Sequence, residues 1–378
     1  MALLAGRLFD EGDAGFSKNS SNMILVKLHG RERLIRGMKS TIKAISTGIL
    51  ATMLHPRVLK LFYRGPLTIL MYHGVIDSPM IMPDPCMIDI NAFRSQMRYL
   101  KRHFEVVSLT RAVELMEHDA ITEPTAVITF DDGYQNNYDL AYPVLREGQL
   151  PATIFLSTLF TDTDISIWTG VLQNAFTLTP KMHLEWRGQR FDLSTLAEKK
   201  KSLSAVRSSL KDGPHQSLMD EVENIVTELS EGDPISLDAE SPYRMLNSAS
   251  IEKLAKSDLI ELGGHTHSHC ILSRLPSSTQ EVEIRKSLEL VESFTGQPCR
   301  LFAYPNGKKC DYDEESLSIL RENGVKAALT TESGCYAPGT PMLELMRIGV
   351  DAEASMSSFK LSLFDIQGRI KGLFANKA

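Results

Sequence analysis

Two adjacent carboxylates and a glycine end the β-branched run Ile128-Thr129-Phe130-Asp131-Asp132-Gly133-Tyr134. A second stretch, His265-Thr266-His267-Ser268-His269, follows another short apolar run and a Gly-Gly pair, and its outer histidines are four residues apart. One Asp and two His make a three-ligand metal site that leaves a coordination position open for water or substrate. The other carboxylate is then a candidate base toward water at the metal. The two stretches together predict a catalytic metal site at the ends of two strands.

Short apolar runs recur through residues 65–351, and most of them end in polar residues or glycine. They are Leu67–Tyr72, Val106–Ser108, Ala126–Thr129, Ala152–Leu156, Leu259–Leu262, Leu301–Tyr304, Ala327–Thr330 and Met346–Val350. Helical patterns lie between several of them, for example over Gln280–Phe294 and Glu314–Asn323. Strands that alternate with helices predict a parallel sheet in an α/β protein. Eight strands with polar carboxyl ends predict a (β/α) barrel, whose active site lies at that face.

One interval, residues 158–247, does not follow this alternation. It contains Trp168, a candidate hairpin at Trp186-Arg187-Gly188-Gln189, a Lys/Ser-rich stretch over Lys199–Lys211 and a helix-like run over Leu218–Leu229. A loop of this length inside a compact domain is uncommon unless it forms structure of its own. We expect a mostly helical insertion over the barrel mouth that shapes the substrate site. The alternative is a solvated, partly ordered excursion.

The two motifs resemble those of the NodB-homology polysaccharide deacetylases, carbohydrate esterase family 4, over roughly residues 66–351. The family motifs T-F-D-D-G and H-[S/T]-x-x-H both occur here without a gap. The resemblance implies a distorted, incomplete barrel. It also implies that Asp131 is the base, that Asp132, His265 and His269 bind the metal, and that the backbone N–H of Tyr134 helps to stabilise the oxyanion.

Two positions depart from the usual family pattern. Most members draw their catalytic acid from a late L-x-H motif, but this chain has Leu345-Met346-Arg347 there and no His after His269. It resembles the exopolysaccharide branch of the family. In that branch the motif order is permuted, and a His early in the chain is the catalytic acid. His73 is therefore the expected acid, with a structural hydrogen-bonding role as the alternative.

The family's third motif usually carries an Arg where this chain has Ala303. That Arg orients the base carboxylate in the family. Arg347, at the end of the last predicted strand, is the candidate to supply the charge from another direction. A surface arginine is the alternative.

The cysteines, and the histidine between the two expected ligand histidines, are expected to have structural roles. Five cysteines without a C-x-x-C pair give no disulfide framework and favour a reducing compartment. Cys270 is expected to be a small buried residue at a helix start rather than a metal ligand. His267 is expected to be structural, because it lies two residues from each ligand histidine. Zn²⁺ suits an Asp and two His, and Co²⁺, Ni²⁺ or Fe²⁺ would fit as well.

Charge is distributed unevenly along the chain. Residues 17–64 hold ten Lys or Arg and one Glu, a net of +9, whereas residues 65–378 carry a net charge of −13. No apolar run in the basic segment reaches the roughly 18–20 residues that span a bilayer. No signal peptide begins at Met1, although a start at Met38 would give a Lys-containing leader with a short apolar run.

We therefore expect residues 1–64 to form a basic, helical N-terminal segment suited to an anionic membrane surface. This would place the protein in the cytoplasm, on the inner face of the cell membrane. A helical arm that packs on the catalytic domain is the alternative. The catalytic domain would span residues 65–351, followed by a C-terminal tail over residues 352–378.

The intact Asp-Asp-His-His set and the resemblance predict metal-dependent removal of acetyl groups from an acetylated glycan. N-acetyl groups are the expected substrate, and O-acetyl groups are the variant. The substrate would be a bacterial-type polysaccharide or its lipid-linked precursor. The alternative is a catalytically idle glycan-binding or scaffold member of a polysaccharide-assembly complex, consistent with the missing Arg and the missing late His. No Gly-rich phosphate loop is present, so neither a nucleotide nor a nucleic acid is an expected partner.

Overall fold

A computed structural model of the protein describes residues 67–211, 213, 215–231 and 241–363. Residues 1–66 and 364–378 lie outside the described residues, and so do the helices and the membrane contact predicted for residues 1–64. No helix within the described ranges is long and apolar enough to cross a membrane.

Twelve strands form within the described residues. They are β1 (Leu67–Tyr72), β2 (Gly74–Ile76), β3 (Met87–Asp89), β4 (Glu105–Val106), β5 (Thr125–Phe130), β6 (Ala152–Leu156), β7 (His183–Trp186), β8 (Gln189–Asp192), β9 (Ile260–Gly264), β10 (Leu301–Ala303), β11 (Ala327–Ser333) and β12 (Leu345–Gly349).

Ten α-helices form in the same described part of the chain. They are α1 (Ile90–His103), α2 (Leu109–Glu117), α3 (Tyr142–Gly148), α4 (Trp168–Leu178), α5 (Leu196–Lys211), α6 (His215–Leu229), α7 (Ser248–Ala255), α8 (Ser277–Thr295), α9 (Glu314–Glu322) and α10 (Met356–Ser362). Polar side chains cap several of them. Asp89 accepts hydrogen bonds from two N–H groups at the start of α1, for example.

Seven parallel strands close into a barrel in the order β1, β12, β11, β10, β9, β6, β5. The ring closes because β1 pairs with β5 along its whole length, from Leu67 opposite Thr125 to Tyr72 opposite Phe130. This arrangement confirms the predicted (β/α) barrel of the NodB-homology type.

The prediction of eight barrel strands is wrong by one. The run over Val106–Ser108 contributes only the two-residue strand β4, which pairs with the start of β5 at Thr125 and Ala126. The longer β6 pairs with the end of β5 at Thr129 and Phe130, and continues to β9 over five residues. Since β1 occupies the other edge of β5, β4 and β6 share the remaining edge. Only β6 also pairs with β9 and so continues the barrel.

Side chains alternate between the barrel interior and the surrounding helices, as they do along any strand. The interior cluster takes Leu67 and Ile69 from β1 and Val127 from β5, and residues of α2 pack against it. The intervening positions, such as Leu70 and Ile128, belong to the core between the strands and the helices. Both faces are apolar, which is why these strands appear in the sequence as continuous apolar runs.

The insertion forms a small subdomain of α4, α5, α6 and the β7–β8 hairpin. Its apolar side chains, including Phe176 and Val206, make a separate core that also contains Tyr134 from the barrel mouth. The hairpin turns at Arg187 and Gly188. Both residues have a positive φ, as a two-residue type I′ turn requires. The predicted mostly helical insertion and its hairpin are confirmed.

Candidate active site

Asp132, His265 and His269 converge at the carboxyl ends of β5 and β9. Asp132 Oδ1 lies 3.4 Å from His265 Nε2 and 3.2 Å from His269 Nε2. One ligand atom from each of the three side chains lies within 4.8 Å of the others. Asp132 and His265 are buried. The structure therefore brings the three predicted ligands to one point.

Two of the three predicted ligands have an unusual backbone conformation. Asp132 has a φ of 76°, outside the extended conformation of β5, so strand alternation does not set the direction of its side chain. His269 has a φ of 57°. Non-glycine residues in this region are uncommon, and they cluster where the surrounding structure imposes a functional geometry.

The donor set fits a divalent cation. His265 Nδ1 donates to the backbone oxygen of Ala303 at 2.7 Å, which orients the ring so that Nε2 faces Asp132. Burial raises the pKa of Asp132, but hydrogen bonds from His265 and His269 and the charges of nearby histidines together hold that pKa well below its ordinary value. An ionised carboxylate and two imidazole nitrogens, once these nitrogens are deprotonated, form a donor set that a divalent cation binds.

Asp131 stays outside the ligand set and pairs with Arg347. Arg347 Nη1 and Nη2 each donate to one carboxylate oxygen at 2.7 Å, and Nε donates to the Thr330 backbone oxygen at 2.8 Å. The Arg347 side chain is fully buried. Burial raises the pKa of Asp131, but the charge and hydrogen bonds of Arg347, with the charges of His265 and His73, together lower it below its ordinary value. Arg347 is thus a buried partner of the predicted base rather than a surface arginine.

His73 lines the same cavity as Asp131 and Asp132. It continues the inward alternation of Leu67 and Ile69 on β1. Asn137 Nδ2 donates to the His73 backbone oxygen at 2.6 Å and holds the strand end in place. The position is the one predicted for an acid at the barrel mouth.

Tyr134 offers its backbone N–H beside the metal ligands. It faces Met245 in an isolated antiparallel bridge. The hydrogen bonds of that bridge run from the flanking residues, Gln135 N–H to Arg244 O and Leu246 N–H to Gly133 O. In such a non-hydrogen-bonded pair the ladder does not use the N–H of the central residue. The bridge therefore leaves the Tyr134 donor available.

The position before Tyr134 favours glycine, which is Gly133 in this chain. Its φ is 82°, and a Cβ at this position would come within 2.9 Å of Leu156 Cδ2. The positive φ makes any larger residue strained here, and a Cβ would also require the Leu156 side chain to move.

The two residues predicted to be structural lie outside the ligand set. His267 Nδ1 lies 2.9 Å from Thr158 Oγ1, and the His267 N–H donates to the Glu283 backbone oxygen. Cys270 is fully buried in a loop, and its N–H donates to Thr266 Oγ1 at 3.2 Å. These bonds tie down the loop that carries the ligand histidines.

The cavity above these groups has a volume of about 240 Å³. The insertion contributes Thr169 and Gly170 from α4, and Arg207 and Lys211 from α5. Asp84, Cys86, Asn306 and Thr331 complete the lining beside the residues already described. Sequence reasoning missed all eight. The only signal was the Lys/Ser-rich stretch that ends at Lys211, and its spacing does not indicate which side chains face the cavity.

Comparisons with known proteins identify the family of this chain. The family model for polysaccharide deacetylases matches residues 118–183 and 235–328, which contain both motifs. YxkH of Bacillus subtilis, a protein assigned to the polysaccharide deacetylases, is 23% identical over 295 residues, or 78% of this chain and 74% of the relative. The poly-β-1,6-N-acetyl-D-glucosamine N-deacetylase of Staphylococcus epidermidis is 37% identical over 67 residues, or 18% of this chain and 23% of the relative.

Among solved structures, the Streptococcus pyogenes deacetylase PplD in complex with acetate has a similar fold. The TM-score is 0.53 at 16% identity, over 80% of this chain and 99% of that one. At this identity the likeness concerns the fold, whereas the motifs and the family model concern the site. Together they show that the chain belongs to the polysaccharide deacetylases, hydrolases that deacetylate carbohydrates.

Proposed function

We propose that the protein is a metal-dependent N-deacetylase that acts on an acetamido sugar of an exopolysaccharide or of its lipid-linked precursor. The observation that carries this proposal is the convergence of Asp132, His265 and His269 beside an Asp131 carboxylate held by Arg347. A divalent ion bound by the three ligands would polarise a carbonyl oxygen and acidify water. Zn²⁺ suits these ligands, and Co²⁺, Ni²⁺ or Fe²⁺ would also fit.

The roles of the side chains follow from their surroundings. Asp131 is ionised, and each of its oxygens keeps a lone pair besides the one that accepts from Arg347. It can therefore take a proton from water that attacks the acetamide carbonyl. The Tyr134 N–H donates to the carbonyl oxygen as negative charge develops there. His73 protonates the departing nitrogen, so that acetate and a free amino sugar result.

One comparison supports an N-acetyl substrate: the Staphylococcus epidermidis relative acts on poly-β-1,6-N-acetyl-D-glucosamine. The Streptococcus pyogenes structure holds acetate, which supports deacetylation but is released from N-acetyl and O-acetyl groups alike. The scaffold alternative rested on a missing Arg and a missing late His. Arg347 donates to the Asp131 carboxylate and His73 lines the same cavity, and these two observations favour an active enzyme.

The test is acetate release from an N-acetylglucosamine oligomer by full-length protein reconstituted in turn with each of the four metals. Release that depends on metal and is abolished in Asp131→Asn supports the proposal. Absence of release with all four metals, from both β-1,6-linked and β-1,4-linked oligomers, would refute it. A parallel assay with an O-acetylated sugar distinguishes the ester from the amide as the preferred substrate.

We also propose that the basic segment of residues 17–64 brings the enzyme to the inner face of the cell membrane. Its net charge of +9 supports this, since a basic residue near an anionic surface contributes about 1 kcal/mol at low salt. Full-length protein should float with anionic vesicles. A full-length variant with the ten Lys and Arg of this segment replaced by Gln should not, and equal flotation of the two would contradict the proposal.

A further inference from the structure

Two cations of the insertion lie in the catalytic cavity. Arg207 and Lys211 are four residues apart on α5, so both project from one side of that helix. Both line the cavity that contains the metal ligands and Asp131. Like charges at this spacing destabilise a helix slightly, so helix stability does not account for the pair.

The charges of these two side chains are poorly compensated. Lys211 Nζ donates to the neutral amide oxygen of Asn306 at 2.7 Å, and it makes no ion pair with any carboxylate in the described ranges. Arg207 Nη2 donates to the Thr169 backbone oxygen at 2.5 Å, while its nearest carboxylate, Asp84, is 4.0 Å away. The Nε of Arg207 is buried without a hydrogen-bond partner among the described residues.

Partial burial makes this arrangement costly. Only 23% of the Arg207 side chain is exposed. Burial is the largest cause that lowers the pKa of Lys211, and the charge of Arg207 lowers it further. A buried donor without a partner and a buried charge without a counter-ion both cost free energy. An anion in the cavity that contacts both side chains would compensate their charges.

The charge of the cavity favours an anion as well. Arg207, Lys211 and Arg347 carry three positive charges, and Asp84, Asp131 and Asp132 carry three negative ones. A divalent ion on the ligand set leaves the site with a surplus of positive charge. Arg347 pairs with Asp131, whereas Lys211 has no carboxylate within 4.0 Å among the described residues and feels the charge of Asp311 only from farther away.

We propose that Arg207 and Lys211 form a subsite for an oxyanion, a carboxylate or a phosphate, carried by the glycan beside the acetamido group. The inference rests on the proposed deacetylase function and names the substrate class. At about 240 Å³ the cavity is smaller than most ligand pockets, so the anion lies on the same sugar as the acetamide or on its neighbour. Both residues fall between the two segments that the family model matches, so the subsite belongs to the insertion of this chain.

The test measures binding to full-length protein in the Asp131→Asn background, so that the probes are not consumed. Three probes are compared by calorimetry: the neutral N-acetylglucosamine disaccharide, an N-acetylglucosamine–glucuronic acid disaccharide and N-acetylglucosamine 1-phosphate. The variants are Arg207→Gln and Lys211→Gln, with Lys211→Arg as the conservative replacement. Lys201→Gln is the matched control, since Lys201 lies on the same helix with a largely exposed side chain.

The expected result is a preference for at least one anionic probe over the neutral one. Each Gln variant should reduce this preference roughly tenfold or more, as removal of a charged hydrogen-bond donor does. Lys211→Arg should retain most of it, and Lys201→Gln should retain all of it. The carboxylate and phosphate probes identify which source of the oxyanion the subsite accepts.

Two results would overturn the subsite. One is equal affinity of the parent protein for neutral and anionic probes. The other is a loss of preference in Lys201→Gln as large as in Lys211→Gln. Failure of the deacetylase proposal would look different, because anionic probes would still bind selectively while wild-type protein released no acetate from any of the three probes.

Discussion

The floor and the roof of the catalytic cavity are built on different principles. The floor consists of Asp131, Asp132, His265 and His269, beyond the ends of barrel strands, and of Arg347, which lies within β12 and is buried against Asp131. The roof consists of Arg207, Lys211, Thr169 and Gly170, all from helices of the insertion. Arg347 on the floor is fully buried and donates to Asp131 and to two threonines. The roof cations are partly exposed and make few bonds.

This difference indicates that the floor and the roof have different functions. Short side chains on strand ends are locked by their neighbours, which suits groups that must be in position before the reaction begins. Long side chains on a helix keep more freedom and can adjust to what binds. We therefore expect changes in the floor to affect turnover and metal retention, and changes in the roof to affect which substrate is bound.

The largest effect should come from removing a floor ligand. His265→Ala should lose bound metal and activity together, because the remaining Asp132 and His269 give only two donors. His267→Ala is the matched control, since that side chain lies outside the ligand set. Metal content by elemental analysis and acetate release by a coupled assay give the two readouts. Stoichiometric metal in His265→Ala would mean that the ligand assignment is wrong.

The next largest effect should come from Asp131→Asn. Turnover should fall roughly 10²–10⁴-fold, the usual contribution of a positioned base. Metal content should remain close to that of the wild type, because Asp131 is not a ligand. The comparison with His265→Ala thus separates two neighbouring parts of the floor. Turnover at the wild-type level would place the base elsewhere.

Arg347→Met tests whether the floor is also a stability element. It leaves the Asp131 carboxylate buried without its partner, which should cost about 3–5 kcal/mol of unfolding free energy. Chemical denaturation measures this loss. The double variant Arg347→Met/Asp131→Asn should recover part of it, since no buried charge then remains. A single variant as stable as the wild type would contradict the buried pair.

The same pair predicts a pH dependence. The pKa of Asp131 is lower in the folded protein than in the unfolded chain, where it is near 3.9. Its contribution to stability is therefore present above that value and is lost as the pH falls through the folded pKa. Without Arg347 the pKa of Asp131 should rise, so the acid limb of activity should move to higher pH. Rate profiles of wild type and Arg347→Met check the direction.

A smaller effect should distinguish the amide from the ester reaction. His73→Ala should slow N-deacetylation far more than hydrolysis of an activated acetyl ester, because an amine needs protonation to leave and an activated alkoxide does not. Initial rates on the two substrates give the ratio. Equal losses on both would favour a structural role for His73.

The smallest effect should concern salt and the roof. Raising the salt concentration from about 0.05 to 0.5 M should raise KM for an anionic substrate a few-fold, since partly exposed charges are screened at these concentrations. The value of kcat should change little, because the Asp131–Arg347 pair is buried. A fall in kcat with constant KM would reverse the assignment of floor and roof.

Several features of this chain followed from local sequence alone. The apolar runs predicted all seven barrel strands, because a parallel strand buried on both faces needs an unbroken apolar sequence. The T-F-D-D-G motif indicated Asp131 as the base, and Arg347 was a candidate partner with a surface position as the alternative. The spacing of His265 and His269 indicated the ligand pair. These predictions rest on properties of consecutive residues, which a sequence displays directly.

Other features were decided only by the tertiary structure. β4 stays outside the ring because β1 and β6 occupy the edges of β5, which is a matter of competition between distant strands. Arg347 and Asp131 are 216 residues apart, and only barrel closure showed that they pair. Arg207 and Lys211 face the cavity because of how the insertion packs on Tyr134. Contacts between remote segments depend on the summed packing of the whole domain, and no local pattern encodes them.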